Sequence, residues 1–278
     1  MILRTATLDD VARMLDWAAQ EGWNPGMEDA AAFHSADSKG FFVADVDGQM
    51  VAAISVVNHS DVFAFLGLYI CLPDFRGQGV GVALWKHALQ HAGSRTVGLD
   101  GVAEQQGNYA RSGFVAAGST MRFEGIVPSA ETSGIRPVMG AQDTAQIAGL
   151  DLAANGFTRQ AFLTGWIQDS PTRKTVVLEQ NGQITGYATA RLCREGCKIG
   201  PVIAPDQAAA ESLIAAAVTG VGAHWATIDV PADQTGFTAA LAGLGFVSGF
   251  ATARMYRGPA PTPAQPQTLF GVATLELG

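Results

Sequence analysis

Positive charge is scarce in this chain. Lysine and arginine number 17 against 25 aspartate and glutamate residues, which gives a formal net charge of −8. Surfaces that bind nucleic acids are basic because they face phosphates, so this charge argues against a nucleic-acid partner. An acidic surface instead favours the approach of cationic or amine-bearing small molecules.

Cysteines and long apolar runs are also few. Three cysteines form no even set for a disulfide framework, which predicts a reducing, cytoplasmic location. No apolar stretch reaches the ~20 residues that span a bilayer, and the first residues lack the order of a signal peptide. We therefore expect no membrane partner. Cys193 and Cys197 flank a predicted turn that supplies too few ligands for a metal, so we also expect no metal.

Residues that build a hydrophobic core are plentiful. Of the 278 residues, 48% are hydrophobic and 15% are charged, so the chain is not of the disordered class. The length suits two domains of average size or one large one.

The most informative stretch joins an apolar run to a helix-forming one. Phe65–Leu72 predicts a buried strand, residues 76–81 read RGQGVG, and residues 82–89 contain no helix breaker. Glycines allow neighbouring backbone N–H groups to point the same way, and the first turn of a helix adds unpaired donors. This order predicts a cradle for an anion such as pyrophosphate. A tight strand-to-helix turn would have the same composition.

Two common nucleotide loops do not match this stretch. A P-loop requires Lys-Ser/Thr after its glycines, and the dinucleotide fingerprint requires Gly-x-Gly-x-x-Gly, whereas here the spacing is Gly77-x-Gly79-x-Gly81. With Arg76 in front, the pattern resembles the acetyl-CoA loop of the GNAT N-acetyltransferase superfamily.

A second motif agrees with this resemblance. Residues 109–114, YARSGF, are similar to the Tyr-x-x-x-Gly-Phe that GNAT proteins commonly carry after their fifth strand. The resemblance implies that Tyr109 gives a proton to the departing thiolate of coenzyme A. One departure is that Val102 stands where the family often has an asparagine, which indicates a shorter or differently directed helix before Tyr109.

The chain also contains an internal duplication. Hairpin signals at Asp47-Gly48 and Asn181-Gly182 are each followed by a strand ending in Pro-Asp, at residues 73–74 and 205–206. Residues 115–123 are expected to close the first unit with its own strand. We predict an α/β (α+β) fold of two tandem GNAT units, each a mixed, largely antiparallel twisted sheet flanked by helices. The expected segments are a catalytic unit at 1–127, a linker at 128–134, a second unit at 135–258, and a proline-rich spacer with a last strand at 259–278 on the second unit.

The second unit lacks the motifs of the first. No arginine and no glycine-rich loop follow Pro205-Asp206, and Leu241 stands in the place of Tyr109. We therefore expect the second unit to have kept the fold and lost the co-substrate. It either shapes an acceptor pocket between the halves or only stabilises or dimerises the first, so a homodimer is possible.

The resemblance implies that acetyl-CoA binds as a co-substrate to the first unit. Main-chain groups at the end of the apolar strand would hold the pantetheine arm, with one N–H for the thioester oxygen, and the glycine loop would hold the pyrophosphate. The implied binding residues are Ile70, Cys71, Leu72, Arg76, Gly77, Gln78, Gly79, Val80, Gly81 and Asn108.

The acceptor side and the general base are less constrained. Trp23 and Asn24 follow the first predicted helix and are candidates for acceptor binding, although the tryptophan could equally fill the core below a Pro-Gly turn. Free amines are mostly protonated near neutral pH, so a base would help. Asp100 and Glu104 are the first candidates for this base. Glu21, His59 and Asp61 are further candidates, and a relay of water molecules without any protein base is also compatible with the sequence.

Three functions remain compatible with these residues. The leading expectation is acetyl transfer from acetyl-CoA to the amine of a small molecule, by direct attack on the thioester. The second is an acyl-CoA-binding or sensing module without turnover. The third, protein N-acetylation, requires an open groove that the second unit could crowd.

Overall fold

The computed structural model describes residues 1–278, which form one continuous twisted sheet flanked by helices on both halves. The strands are β1 (Ile2–Thr5), β2 (Phe41–Val46), β3 (Gln49–Asn58), β4 (Phe63–Cys71), β5 (Thr96–Gly101), β6 (Val115–Ile126), β7 (Ile135–Pro137), β8 (Arg173–Gln180), β9 (Gln183–Leu192), β10 (Cys197–Ile203), β11 (Trp225–Pro231), β12 (Val247–Arg257) and β13 (Leu269–Gly271). The helices are α1 (Leu8–Gln20), α2 (Asp29–Ala36), α3 (Val80–Ala92), α4 (Gln106–Arg111), α5 (Gly140–Asn155), α6 (Gln160–Trp166), α7 (Gln207–Gly220) and α8 (Thr235–Gly243). None of the helices has the length and apolar character needed to cross a lipid bilayer.

The first elements of the two halves are built by the same local contacts. Thr7 caps α1 and forms a capping box with Asp10, whose carboxylate also accepts from Arg4 at 2.6 Å. In the second half, Arg136 donates to Asp143 in the first turn of α5, again at 2.6 Å. Each arginine also reaches an acidic residue in a neighbouring strand. This repeated arrangement agrees with an internal duplication.

The predicted hairpins are confirmed. Asp47 and Gly48 between β2 and β3 have φ values of 51° and 80°, and Asn181 and Gly182 between β8 and β9 have values of 52° and 74°. Two successive left-handed residues match the right-handed twist of the flanking strands, and asparagine, aspartate and glycine adopt them most readily.

The centre of the sheet differs from the expectation that residues 115–123 close the first unit. The strand order is β4-β5-β12-β6-β11-β10, so β6 pairs with two strands of the second half. In exchange, β12 pairs with β5 of the first half. Each half therefore supplies the closing strand of the other. The alternating sequence of β6 is equally suited to any antiparallel neighbour, which is why the exchange was not predicted.

Buried ion pairs accompany the exchanged strands. Arg122 on β6 donates to both carboxylate oxygens of Asp229 on β11, at 2.8 and 2.9 Å. Arg254 on β12 binds Asp100 on β5 in the same way, at 2.9 and 2.7 Å. Two-pronged arginine–carboxylate pairs fix relative orientation as well as distance, so each exchanged strand is held in register with its new neighbour.

The strands of each half separate beyond a short parallel pairing. In the second half, β10 and β11 pair only from Cys197 to Ile199, and β13 then lies against β10. The backbone N–H of Val272 donates to Asp229 on β11 at 2.9 Å. The chain itself thus fills the gap between the two strands of the second half.

The segment after β13 leaves the second half. It was expected to continue as a strand on the second unit up to Leu277, but strand pairing ends at Gly271. The carbonyl of Leu277 accepts a hydrogen bond from His59 of the first half at 2.7 Å, and Leu277 is fully buried. The segment packs closely on a glycine of each half, because a Cβ added to Gly200 or Gly67 would lie 2.1 Å from the carbonyl of Val272 or of Glu276. These two glycines leave room for the segment to run inward rather than along β10.

Candidate functional site

A cleft that holds most of the predicted site residues opens where β4 and β5 separate. Their parallel pairing runs from Phe63 with Thr96 to Leu66 with Leu99, and then stops. The edge of β4 beyond Leu66 therefore has no neighbouring strand on that side. The cleft has a volume of about 700 Å³, and its walls include residues of both halves.

The glycine loop forms one end of this cleft. Gly77, Gly79 and Gly81 line it, and the first two have φ values of 74° and 83°, in the left-handed region that favours glycine. Gly79 is the residue before α3, and no side chain caps that helix. The first N–H of α3 that bonds within the chain is that of Ala83, to Gly79 at 3.0 Å. The N–H groups of residues 78–82 are therefore available to an anionic ligand.

Side chains brace the glycine loop against the strand before it. Arg76 donates to the carbonyl of Cys71 at 2.8 Å and to Glu21 at 3.1 Å, across the mouth of the cleft. Gln78 donates to the carbonyl of Asp74 at 2.6 Å. Arg76 is more than half exposed, so it is free to turn towards an anion.

Only some of the predicted co-substrate residues line the cleft. Ile70 and Cys71 line the cleft, as do Arg76 and the three glycines, whereas Leu72 donates its N–H to Val51 at 2.9 Å on the opposite side. Gln78 and Val80 are not among the residues that line the cleft, and only their backbone N–H groups are available to a ligand there. The side chain of Asn108 bonds to its neighbours Gln105 and Arg111, so its contact with a co-substrate stays a prediction.

Tyr109 lies on the β5 side of the cleft. Its ring stacks on Trp85, with centroids 5.5 Å apart, and a Cβ added to Gly101 would lie 3.0 Å from it. Burial, with a smaller contribution from Tyr69, raises the pKa of Tyr109 to about 12. The phenol therefore holds its proton throughout the physiological range, as a proton donor must.

The predicted bases occupy different environments. Asp100 and Glu104 both line the cleft, but the carboxylate of Asp100 is fully bound by Arg254, whereas Glu104 is exposed and free of any ion pair. Glu21 is paired with Arg76, and Asp61 lies at the surface 3.7 Å from Arg95. His59 is buried outside the cleft, against the segment that ends the chain. The identity of a base among these residues stays a prediction.

Comparison with known proteins decides the family. Two family models match the chain: "Acetyltransferase (GNAT) family" over residues 8–114 and "Acetyltransferase (GNAT) domain" over residues 147–271. The chain is 33% identical to holothin acyltransferase of a Pseudoalteromonas species, over 99% of this chain and 94% of that protein. The chain belongs to the GNAT acetyltransferase family. It is also 24% identical to an uncharacterized N-acetyltransferase, YitH, of Bacillus subtilis, over 86% of this chain and 85% of the relative.

Solved structures show the same tandem fold. An acetyltransferase-type structure from Pyrococcus horikoshii superimposes with a TM-score of 0.82, at 18% identity, over 100% of this chain and 95% of the other. A tandem GNAT protein from the clavulanic acid biosynthesis pathway superimposes with a TM-score of 0.64, at 16% identity, over 93% and 99% of the two chains. The two GNAT units and the acyltransferase class predicted from the sequence are confirmed.

The two candidate acceptor residues of this GNAT protein are separated by the fold. Trp23 lines the cleft, and its carbonyl accepts from Lys198 of the second half at 2.7 Å. Asn24 instead exchanges two hydrogen bonds with the backbone of Glu195, at 2.8 and 3.3 Å. The amide of Asn24 therefore joins the two GNAT units, and its contact with an acceptor stays a prediction.

Part of the GNAT cleft was not predicted at all. The exchanged strands and the final segment bring five residues to its inner end: Arg122, Phe250, Thr252, Leu275 and Glu276. They lie in strands and turns that carry no motif. The exchange of β6 and β12 and the inward course of the final segment together bring them to the cleft. An unpaired polar residue in an otherwise apolar terminal segment, as at Glu276, was the one available signal.

No three metal-binding side chains come together in the structure. This finding leaves the expectation of a metal-free reaction as a prediction.

Proposed function

We propose that this GNAT acyltransferase transfers an acetyl group from acetyl-CoA to the amine of a small molecule. The observation that carries the proposal is the continuous path from the free N–H groups of residues 78–82, along the unpaired edge of β4, to Tyr109. The family uses acyl-CoA, whose pyrophosphate and amide groups match the hydrogen-bonding groups along this path.

The residues of the path suit the parts of coenzyme A. The N–H groups at the start of α3, with Arg76 beside them, would hold the pyrophosphate by hydrogen bonds and the partial positive charge of the helix end. The free edge of β4 would hold the amide groups of the pantetheine arm as a neighbouring strand would, through Ile70 and Cys71. Bound there, acyl-CoA supplies an activated acyl group at the point where β4 and β5 meet.

Tyr109 completes the requirements for acyl transfer. As the C–N bond forms and the C–S bond breaks, the departing thiolate needs a proton, and the buried phenol holds one at neutral pH. A backbone N–H of the β4 edge would stabilise the negative charge that develops on the thioester oxygen.

The shape of the cleft supports a small acceptor. Three large apolar side chains line the cleft besides those of β4, namely Trp23, Phe250 and Leu275, and they would narrow the space left for an acceptor. A folded protein segment needs an open groove, whereas a small amine fits between these side chains. The name of the Pseudoalteromonas relative, holothin acyltransferase, makes holothin a first acceptor to test.

A thiol-release assay tests the proposal. The purified protein is mixed with acetyl-CoA and a panel of holothin, polyamines, amino acids, aminoglycosides, arylamines and short peptides, and free coenzyme A is measured. Release that depends on a small amine supports the proposal. Binding of acetyl-CoA without release for any amine would instead favour the sensing module, and release with peptides alone would favour protein acetylation.

Longer acyl-CoA donors in the same assay decide whether acetyl is the preferred group. The cytoplasmic location and the homodimer remain proposals, and the first agrees with three cysteines that are all unpaired.

A further inference from the structure

One buried carboxylate of the protein has no positive partner. Six acidic residues are buried as whole residues, and five of them pair with an arginine at 2.6 to 2.8 Å, namely Asp10, Asp29, Asp143, Asp151 and Asp229. The buried side chain of Asp100 likewise pairs with Arg254 at 2.7 Å. The sixth, Glu276, is only 6% exposed and forms no ion pair. Burial of an unpaired charge is costly, so its retention points to a use for the charge.

Glu276 lies at the base of the cleft. Its backbone carbonyl packs against Gly67, where an added Cβ would come within 2.1 Å. Gly67 directly follows Leu66, the last residue of β4 that pairs with β5. Glu276 thus approaches the junction of the two strands from the β4 side, while Tyr109 approaches it from the β5 side, against Gly101.

The carboxylate is anchored at one oxygen and open at the other. The Thr274 hydroxyl donates to Oε2 of Glu276, whereas Oε1 accepts no hydrogen bond from the chain. Oε1 is not among the fully buried unpaired polar atoms, so it keeps some exposure in a residue that lines the cleft. A carboxylate held in this manner has a fixed orientation and one free acceptor for an incoming N–H donor.

The charged neighbours of Glu276 are hydrogen-bonded to other groups. Its charge acts on Asp100 of β5, Arg122 of β6 and Lys198 of β10. The first two are bound in the pairs with Arg254 and Asp229, and the Lys198 ammonium donates to the Trp23 carbonyl. After the paired charges cancel, two unpaired negative charges line the cleft, the buried one of Glu276 and the exposed one of Glu104. The Lys198 ammonium, which is bound to a neutral carbonyl, is an unpaired positive charge that acts on Glu276 from outside the lining.

We infer that Glu276 receives the ammonium group of the acceptor and removes its proton, which assigns the acceptor to the aliphatic, cationic primary amines. The inference rests on the proposed N-acyl transfer. It goes further by naming the class of amine and a catalytic residue in a segment that neither GNAT family match covers, since the second match ends at residue 271.

The protons of this reaction balance. The Glu276 carboxylate takes one proton from R–NH3⁺, and the resulting neutral nitrogen forms the C–N bond while the C–S bond breaks. The thiolate takes the proton of Tyr109, and the proton that the nitrogen loses on becoming an amide restores the phenol through water. Glu276 returns its proton to solvent, so one proton is released for each amide formed.

Paired acceptors separate this role from a structural one. Benzylamine is a cation at neutral pH and aniline is not, although their sizes are similar, so only benzylamine needs a base to become nucleophilic. Wild-type, Glu276→Gln and Glu276→Asp proteins are compared for kcat/KM with each amine between pH 7 and 10. The matched control is Glu131→Gln, the same change in the exposed segment between the halves.

We expect Glu276→Gln to lower kcat/KM for benzylamine roughly 100-fold near neutral pH, the usual size of a general-base contribution, and to change aniline less than about threefold. The deficit with benzylamine should shrink towards pH 10, because the free amine is a minor fraction near neutral pH and becomes the major form once the pH passes the pKa of benzylamine. Glu276→Asp should recover part of the activity, and Glu131→Gln should alter neither reaction.

Other outcomes decide against the inference. Equal losses with both amines, or a lower melting temperature with unchanged kcat/KM, would make Glu276 a structural group that balances Lys198. A wild-type protein that acylates arylamines but no alkylamine would also overturn it while leaving N-acyl transfer intact. Absence of thiol release with every amine would count against the proposed function itself.

Discussion

Tyr109 is the residue on which the proposed proton transfer depends. Replacing Tyr109 with phenylalanine keeps the ring on Trp85 but removes the phenolic proton, so we expect kcat to fall roughly 100-fold. The Kd for acetyl-CoA should stay within about twofold, because the ring lies beyond the glycine loop that would hold the pyrophosphate. Stopped-flow thiol release and calorimetric titration measure the two quantities. A variant with wild-type kcat would remove the tyrosine from the reaction.

His59 makes the folded state sensitive to acid. Its ring is enclosed by phenylalanines, Nε2 donates to the Leu277 carbonyl and Nδ1 has no partner, so burial lowers the pKa of His59 to about 4. The unfolded chain binds this proton near pH 6.5, and stability must therefore decrease as the pH falls from about 6.5 to about 4. The expected loss is on the order of 3 kcal/mol by pH 4.

Urea unfolding across this pH range tests the contribution of His59. His59→Gln keeps a donor near the position of Nε2 but cannot take up a proton, so its stability should change less over the same interval. Parallel pH dependences of the two proteins would assign the acid sensitivity to other groups.

The loop before α3 is the element that was best predicted from the sequence. Its glycines, its arginine and the uncapped helix start all depend on neighbours within a few residues, so local sequence was sufficient to place Arg76 and Gly79 at the end of the cleft where backbone N–H groups are free. The inner end of the cleft depends on pairings between residues more than 100 positions apart. Arg122 and Glu276 could not be placed there by local sequence.

A pair of matched glycine substitutions tests the loop. Gly79 and Gly222 have φ values of 83° and 71°, and open space surrounds the Cβ position of both. Alanine at either site should cost about 1 kcal/mol in stability because of the left-handed backbone. Only Gly79→Ala places a methyl group over the free N–H groups, so we expect its Kd for acetyl-CoA to rise at least about tenfold. Equal affinities of the two variants would exclude the loop from co-substrate binding.

At the scale of the whole molecule, the exchange of β6 and β12 makes the halves interdependent. A fragment of residues 1–134 retains every motif of the first GNAT unit but lacks β12, which leaves one edge of β5 unpaired and Asp100 without Arg254. An unpaired buried charge and an open sheet edge both disfavour the folded state. We therefore expect this fragment to aggregate or remain unfolded and to bind no acetyl-CoA.

Circular dichroism and co-substrate titration of the fragment provide the measurement. The full chain serves as its control and should unfold in one cooperative transition, because its central strands belong to both halves. A folded fragment that binds acetyl-CoA as tightly as the full chain would contradict this dependence.

Two units that have exchanged their closing strands must also be retained together during evolution. Deleting the gene segment for the second unit would remove β12, which pairs with β5 of the first unit. Natural selection therefore cannot readily discard the unit that lacks the glycine loop. The exchanged strands therefore make loss of the second unit costly. Its sequence can still change, and new side chains in it can serve the site of the first unit.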